Sequence, residues 1–109
     1  MTPPEPLHLL YVTAATADEA LAIARTVVEE RLAACANVLG AMTSVYRWQG
    51  QVMQDAEVAL IVKTRAGLVQ ALTARIQALH SYECPCVVAL GIEGGNAAFL
   101  DWIREETKD

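Results

Sequence analysis

Residues 36–64 read ANVLGAMTSVYRWQGQVMQDAEVALIVKT, and this stretch decides the fold. Two strand-like runs flank Trp48-Gln49-Gly50-Gln51, where Gly50 can take the positive φ that a tight reversal needs. The pattern predicts a long β-hairpin with arms Asn37–Trp48 and Val52–Thr64. Upstream, TADEALAIARTVVEERLAAC (16–35) carries Thr16 and Glu19 at capping-box spacing, with Leu21, Ala24, Val28 and Leu32 recurring on one helical face. A helix over Ala17–Ala34 is expected. Before it, LHLLYVT (7–13) reads as a buried strand, and Pro3, Pro4 and Pro6 keep the first six residues out of regular structure. Downstream, AGLVQALTARIQALH (66–80) sets Leu68, Leu72, Ile76 and Leu79 on a buried stripe, with His80 near the helix C-terminus. YECPCVVALGI (82–92) reads as a fourth strand. NAAFLDWIREET (96–107) reads as a short last helix with Asn96 as N-cap and Phe99, Leu100 and Ile103 facing inward. The order β-α-β-β-α-β, then α, predicts an α+β, ferredoxin-like sandwich: an antiparallel sheet with two helices on one face and a C-terminal helix. One domain spans 1–109, with 1–6 disordered.

The composition suits a packed domain, with 54% hydrophobic and only 6% aromatic residues in a chain of 109. A formal charge of −5 repels phosphate and anionic lipid, so neither nucleic acid nor a membrane is expected as a partner. The start, MTPPEPLHLLYV, has no basic region followed by an apolar run, which gives the expectation of a cytoplasmic address. Three cysteines point to free thiols in a reducing compartment. There is no Gly-rich phosphate loop, no nucleophile with a visible base and no carboxylate pair at catalytic spacing, so an enzyme is not expected. Where copper chaperones of this element order place a C-x-x-C, after the first strand, the chain reads TAATADE (13–19).

VALIV (58–62) and VVAL (87–90) are apolar at successive positions, so both faces of these strands call for burial although two helices cover only one. Tyr46 and Trp48 near the hairpin tip would stand in water unless another chain took them. The sheets of several copies are therefore expected to pack together. Trp102 on the last helix reads as a packing residue.

Four blocks, EERLAACANVL (29–39), SVYRWQGQV (44–52), LIVKT (60–64) and LHSYECPCVVAL (79–90) followed by GNAAFLDWI (95–103), resemble the CutA divalent-cation tolerance family. The likeness runs from Leu7 to Thr107. It implies a tight homotrimer similar in architecture to the P-II signalling proteins, and a link to tolerance of copper and other divalent metal ions. The family's candidate metal ligands carry over onto Cys35 and His80, with Glu83 close by. Lys63, Tyr82, Pro85 and Trp102 match other pattern positions. Tyr46, Trp48 and Trp102 become candidates for the subunit interface, and Lys63 and Tyr82 for ligand binding. Ser81, Cys84 and Cys86 stand where the family pattern has Pro, a variable residue and Glu, and Gly91 stands where Pro is common. Sulfur in place of oxygen favours Cu(I) or Zn.

HSYECPC (80–86) holds most of the candidate chemistry. On a strand, Cys84 and Cys86 would lie about 6.6 Å apart with parallel side chains, poorly placed for a disulfide. They read as buried structural thiols, as ligands for a soft metal together with His80, or as a redox pair. Cys35 is structural or a ligand, and His80 a helix cap or a ligand. Glu83 is a lone carboxylate. Lys63 is a solvated strand end or an anion contact. Two alternatives stand beside metal tolerance: a P-II-like signalling trimer that binds a small molecule, and a structural trimer that serves a protein partner.

Overall fold

The computed structural model describes residues 3–108. Eight elements follow one another: β1 (Leu7–Ala14), α1 (Ala17–Glu29), β2 (Cys35–Trp48), β3 (Gln51–Arg65), a 3-10 turn (Ala66–Leu68), α2 (Val69–Leu79), β4 (Val87–Ile92) and α3 (Ala97–Glu106). The strands form one four-stranded sheet in the order β2-β3-β1-β4, and every neighbouring pair is antiparallel. The fold is thus α+β, with an antiparallel sheet and three α-helices.

Alternation along the strands assigns the two faces. Leu10 and Val12 of β1, with Leu60 and Val62 of β3, point to one side and meet Ile23 and Val27 of α1 and Leu72 and Ile76 of α2 in the main core. All eight are essentially inaccessible to solvent. Each contributes about 1.5–3 kcal/mol through removal of its side chain from water. The other side of the sheet carries a smaller cluster in which Leu7, Ala34 and Ile103 of α3 are buried, with Ile92 and Leu100 against them. Helix α3 therefore covers the far face only at the end of the sheet where β1 begins.

Several boundaries differ from the sequence reading. Helix α1 stops at Glu29 rather than Ala34, because Arg31 takes a left-handed φ of 60°. The amides of Arg31 and Leu32 then bond back to the carbonyls of Val28 and Val27, closing a Schellman end. The buried face of α1 is Ala20, Ile23, Ala24 and Val27. Leu21 is 52% exposed, so the stripe drawn through Leu21 and Val28 is rotated from the true one. In α3, Ile103 is buried and Leu100 partly so, but Phe99 is 43% exposed and packs on Trp102 instead of facing inward. Strand β4 begins at Val87, not Tyr82, and residues 82–86 are a loop. Pro85 brings no N–H to a ladder, and pairing with β1 starts only at Val12–Val87. Residues 3–6 have no helix or strand, while Met1 and Thr2 lie outside the described residues. Glu5 and Pro6 are nonetheless tied down: Arg65 and Gly67 hold the Glu5 carboxylate, and Ala66 N–H donates to the Pro6 carbonyl.

The hairpin sets the shape. At Gln49 (φ 49°) and Gly50 (φ 81°) both central residues have positive φ, the type I′ reversal that matches strand twist. Strand β1 pairs with β3 only from Val58 onward, so the stretch Gln51–Glu57 is joined to β2 alone. This two-stranded ribbon projects from the body and gives the molecule its extents of 52 × 25 × 23 Å. A bulge between Val38 and Ala41 bends its base.

Candidate functional site

On the far face, beyond the reach of α3, the loop 81–86 lies alongside the base of the ribbon. Cross-strand pairs Tyr46–Met53, Ser44–Asp55 and Met42–Glu57 place Tyr46, Asp55 and Glu57 on one face, with Trp48 two residues beyond Tyr46. Together with Thr13, Tyr82, Glu83, Cys84 and Cys86 they line an open groove of about 1030 Å³.

His80 anchors the loop. Its Nε2 lies 2.7 Å from the Thr13 carbonyl, and its Nδ1 accepts the Tyr82 N–H at 3.0 Å. The carbonyl can only accept, so Nε2 carries the proton and both ring nitrogens are engaged. The side chain is wholly buried and its ring packs on Tyr82 at 4.7 Å. Glu19 ties the loop to α1: Thr16 Oγ1 accepts the Glu19 N–H, and the Glu19 carboxylate accepts the N–H groups of Ala15 and Ser81. Burial pulls the Glu19 carboxyl upward, but the bonds from Ser81 and Ala15 outweigh it and hold it below the ordinary 4.5. The sequence spacing identified Glu19 as a capping residue and missed its second bond, which joins elements far apart in the chain.

Across the groove two tyrosines donate to two carboxylates. Tyr82 Oη reaches Glu57 at 2.9 Å, and Tyr46 Oη donates to Asp55. Burial, followed by the Glu57 bond and charge, pushes the Tyr82 phenol up to about 12. The Asp55 bond likewise raises Tyr46 above its ordinary 10. Burial raises the Cys86 thiol, against the nearby Thr13 hydroxyl and with the help of Glu57's charge. Cys84 is exposed and Cys86 partly buried, and all three cysteines are free.

Of the candidate ligands, the loop brings Glu83, Cys84 and Cys86 to the groove, with His80 at its anchor. Cys35 is elsewhere. It opens β2 opposite Lys63, which sits beside Leu9 of β1, whereas Thr13 at the groove is four residues further along that strand, about 13 Å away. Lys63 donates to Asn37. Among the described residues, no three His, Cys, Asp or Glu side chains come together to hold one metal ion. Since 82–86 is not a strand, the spacing argument against a Cys84–Cys86 bridge loses its premise. The sequence reading missed Asp55 and Glu57, although their alternation across from Ser44 and Met42 already put them on the face of Tyr46.

Between the groove and α3 this face is apolar and open along β4. Val88 and Leu90 of β4, beside Tyr11 and Leu9 in register, are 51% and 49% exposed. No helix among the described residues is long and apolar enough to cross a membrane.

These features define a class: a small α+β protein with one uncovered sheet face, a projecting hairpin and a thiol- and carboxylate-lined groove between them. Residues 8–106 match the family described as CutA1 divalent ion tolerance protein. The divalent-cation tolerance protein CutA of Thermus thermophilus is 46% identical over 100 residues, covering 92% of this chain and 97% of that protein. Protein CutA 1, chloroplastic, of rice is 41% identical and covers 95% of this chain, which spans 59% of the rice protein. The solved structure of the periplasmic divalent cation tolerance protein CutA from Archaeoglobus fulgidus superposes with a TM-score of 0.90 at 38% identity, covering 94% of this chain and 99% of that one. The chain belongs to the CutA family. The same relatives correct the expectation of a cytoplasmic address, since one is named periplasmic and another chloroplastic. The relatives carry the names of tolerance proteins rather than of enzymes.

Proposed function

We propose that this chain is one subunit of a ferredoxin-like homotrimer that contributes to divalent-cation tolerance by holding a soft metal ion, copper above all, at Cys84 and Cys86. The observation that carries the metal assignment is the exposed Cys84 thiol. Free cysteines are ordinarily buried as small apolar residues, yet this one lines a groove two residues from a second free thiol. The donor set fits Cu(I), which accepts few, soft ligands. A tetrahedral zinc site needs four donors, more than the described residues of one chain bring together. Cys84 and Cys86 would hold the ion, Glu83 would sit beside it, and His80, with both nitrogens bonded, orients the loop. Copper bound there would be cargo, stored or buffered as thiolate complex. Titration of the reduced protein with Cu(I) against a chromophoric chelator tests this: replacing both thiols by serine should weaken binding by more than about tenfold, and unchanged affinity would remove the assignment. Binding should tighten as pH rises, because the ligand is the thiolate and the Cys86 thiol is held up by burial.

Trimerisation is supported by the uncovered face and by the ribbon, whose Val45 and Val52 are 65% and 66% exposed. A lone two-stranded ribbon is marginal in water, and a second copy would supply what it lacks. Sedimentation should give three times the chain mass, and Leu90→Lys should yield smaller species. We assign Tyr46, Trp48 and Trp102, all exposed in the single chain, to that contact. A second reading, a small-molecule site of the P-II kind, draws on the groove itself, whose volume matches that of ligand pockets. Lys63 and Cys35, at the other end of the sheet, lie outside that groove.

A further inference from the structure

The loop that carries Cys84 and Cys86 is held from outside itself. Among the described residues, none of 81–86 takes part in a backbone-to-backbone hydrogen bond outside the sheet ladders, and the pairing of β4 with β1 begins only at Val87. Side chains from other elements hold it instead. Glu19 of α1 accepts the Ser81 N–H at 2.8 Å, and His80, fixed on the Thr13 carbonyl of β1, accepts the Tyr82 N–H. Glu57 of β3 accepts the Tyr82 hydroxyl. Glu19 is the third helical residue after the N-cap Thr16, where a capping box would turn its carboxylate back onto the Thr16 amide. The carboxylate is diverted: one oxygen takes the Ala15 N–H, and the other crosses to Ser81, 62 residues away in the chain.

We propose that Glu19 is a positioning residue for the metal loop, one that pins the Ser81 amide, thereby fixes how Cys84 and Cys86 converge, and so sets their affinity for a soft metal ion without touching it. This role rests on Cu(I) being held by those two thiols and adds the residue that organises them. Two thiolates share one ion only when their sulfurs converge, and a loop without main-chain bonds must otherwise be ordered at the moment of binding. Groups that orient metal ligands from behind typically carry 10–100-fold of the affinity, on the order of what is expected here. The His80 side chain is wholly buried and that of Glu19 is only 16% exposed. Every donor and acceptor of this clasp belongs to one chain, so copies packed on the sheet add cover and remove none.

Cu(I) affinity of the reduced protein, measured against a chromophoric chelator well below the melting temperature, tests this role. Glu19→Met fills the space without a carboxylate and should weaken binding about tenfold. Glu19→Gln keeps one carbonyl oxygen for the N–H groups of Ala15 and Ser81 and should fall between. Thr16→Ala removes the cap of the same helix and leaves the carboxylate bonds, so it should lower the melting temperature with Cu(I) affinity unchanged. Amide exchange in Glu19→Met should quicken at Ser81 and Tyr82 while Leu10 and Leu60 stay protected. Undiminished affinity in Glu19→Met, or an equal loss in Thr16→Ala, would overturn the role and leave copper at the thiols. Should Glu19→Met not fold, Glu19→Gln takes its place, and an affinity equal to that of the unaltered protein is then the overturning result. Failure of the unaltered protein to bind Cu(I) removes the metal reading and this role together, and it shows before any variant is measured.

Discussion

Arg31 occupies a conformation that glycine would take without strain, and the reason lies in its side chain. Its Nη2 donates to the Glu105 carbonyl at 2.9 Å and its Nε to that of Glu106 at 3.1 Å, while its own carbonyl accepts the Lys108 N–H at 2.8 Å. A cation on the open carbonyls at the end of α3 is where the helix dipole favours one. The left-handed backbone costs about 1–2 kcal/mol for a residue with a Cβ. Arg31→Ala loses the clasp and keeps the strain, whereas Arg31→Gly loses the clasp and sheds the strain. Denaturant unfolding should therefore rank wild type above Arg31→Gly, and Arg31→Gly above Arg31→Ala by about 1 kcal/mol. No glycine marks this helix end, so its position was not legible. The N-cap was, because Thr16 and Glu19 signal it locally. Glu19 also gives a pH prediction. Its folded value is depressed, so its contribution is present above the unfolded value near 4.5 and is lost as pH falls through the lower folded value. Glu19→Gln should flatten the acid limb of the stability curve. Tyr82 is the opposite case, raised to about 12. Its contribution is present below pH 10 and lost as pH rises through the folded value, so ultraviolet titration should show the Tyr82 phenol ionising late and earlier in Glu57→Gln.

Among the elements, the hairpin was the most legible, since a turn at Gly50 between two long apolar-rich runs admits few readings. Its type was not, because Gln49 gives no hint that it too has positive φ. Asn in that position favours the type I′ turn, so Gln49→Asn should raise the melting temperature, worth about 0.5 kcal/mol, and Gly50→Ala should lower it by about 1 kcal/mol. The fourth strand was overextended because apolar content was weighed above Pro85, which demotes the segment carrying it. That error mattered for chemistry. On a loop, Cys84 and Cys86 are free of the fixed spacing of a strand, and their surroundings depend on contacts from His80, Glu19 and Glu57 that no local pattern encodes. The stripe drawn through the segment after β3 matches closely, with Leu68 of the 3-10 turn and Leu72 and Ile76 of α2 buried and Leu79 partly so. Leu72→Ala should cost about 2–5 kcal/mol, for it fills the centre of the main core.

For the whole molecule, the apolar runs of β3 and β4 announced a second face in need of cover, and that face is open in the single chain apart from the end that α3 shields. Where α3 would lie could not be read, because its placement depends on Ile103 finding Leu7 and Ala34 across the sheet. If copies cover that face, stability becomes a property of the assembly, and the melting temperature should climb with protein concentration. Leu90→Lys should abolish that dependence as it breaks the assembly. Glu5 and Lys108, near the two limits of the described residues, meet at Arg65, which binds the Glu5 carboxylate and the Lys108 carbonyl at the pole opposite the hairpin. Linking Glu5 to Lys108 through a short Gly-Ser bridge and reopening the chain at Gly94-Gly95 would thus give a permuted protein with the native arrangement. A reporter tethered beside Glu5 or Lys108 would ride on that pole, well clear of the groove.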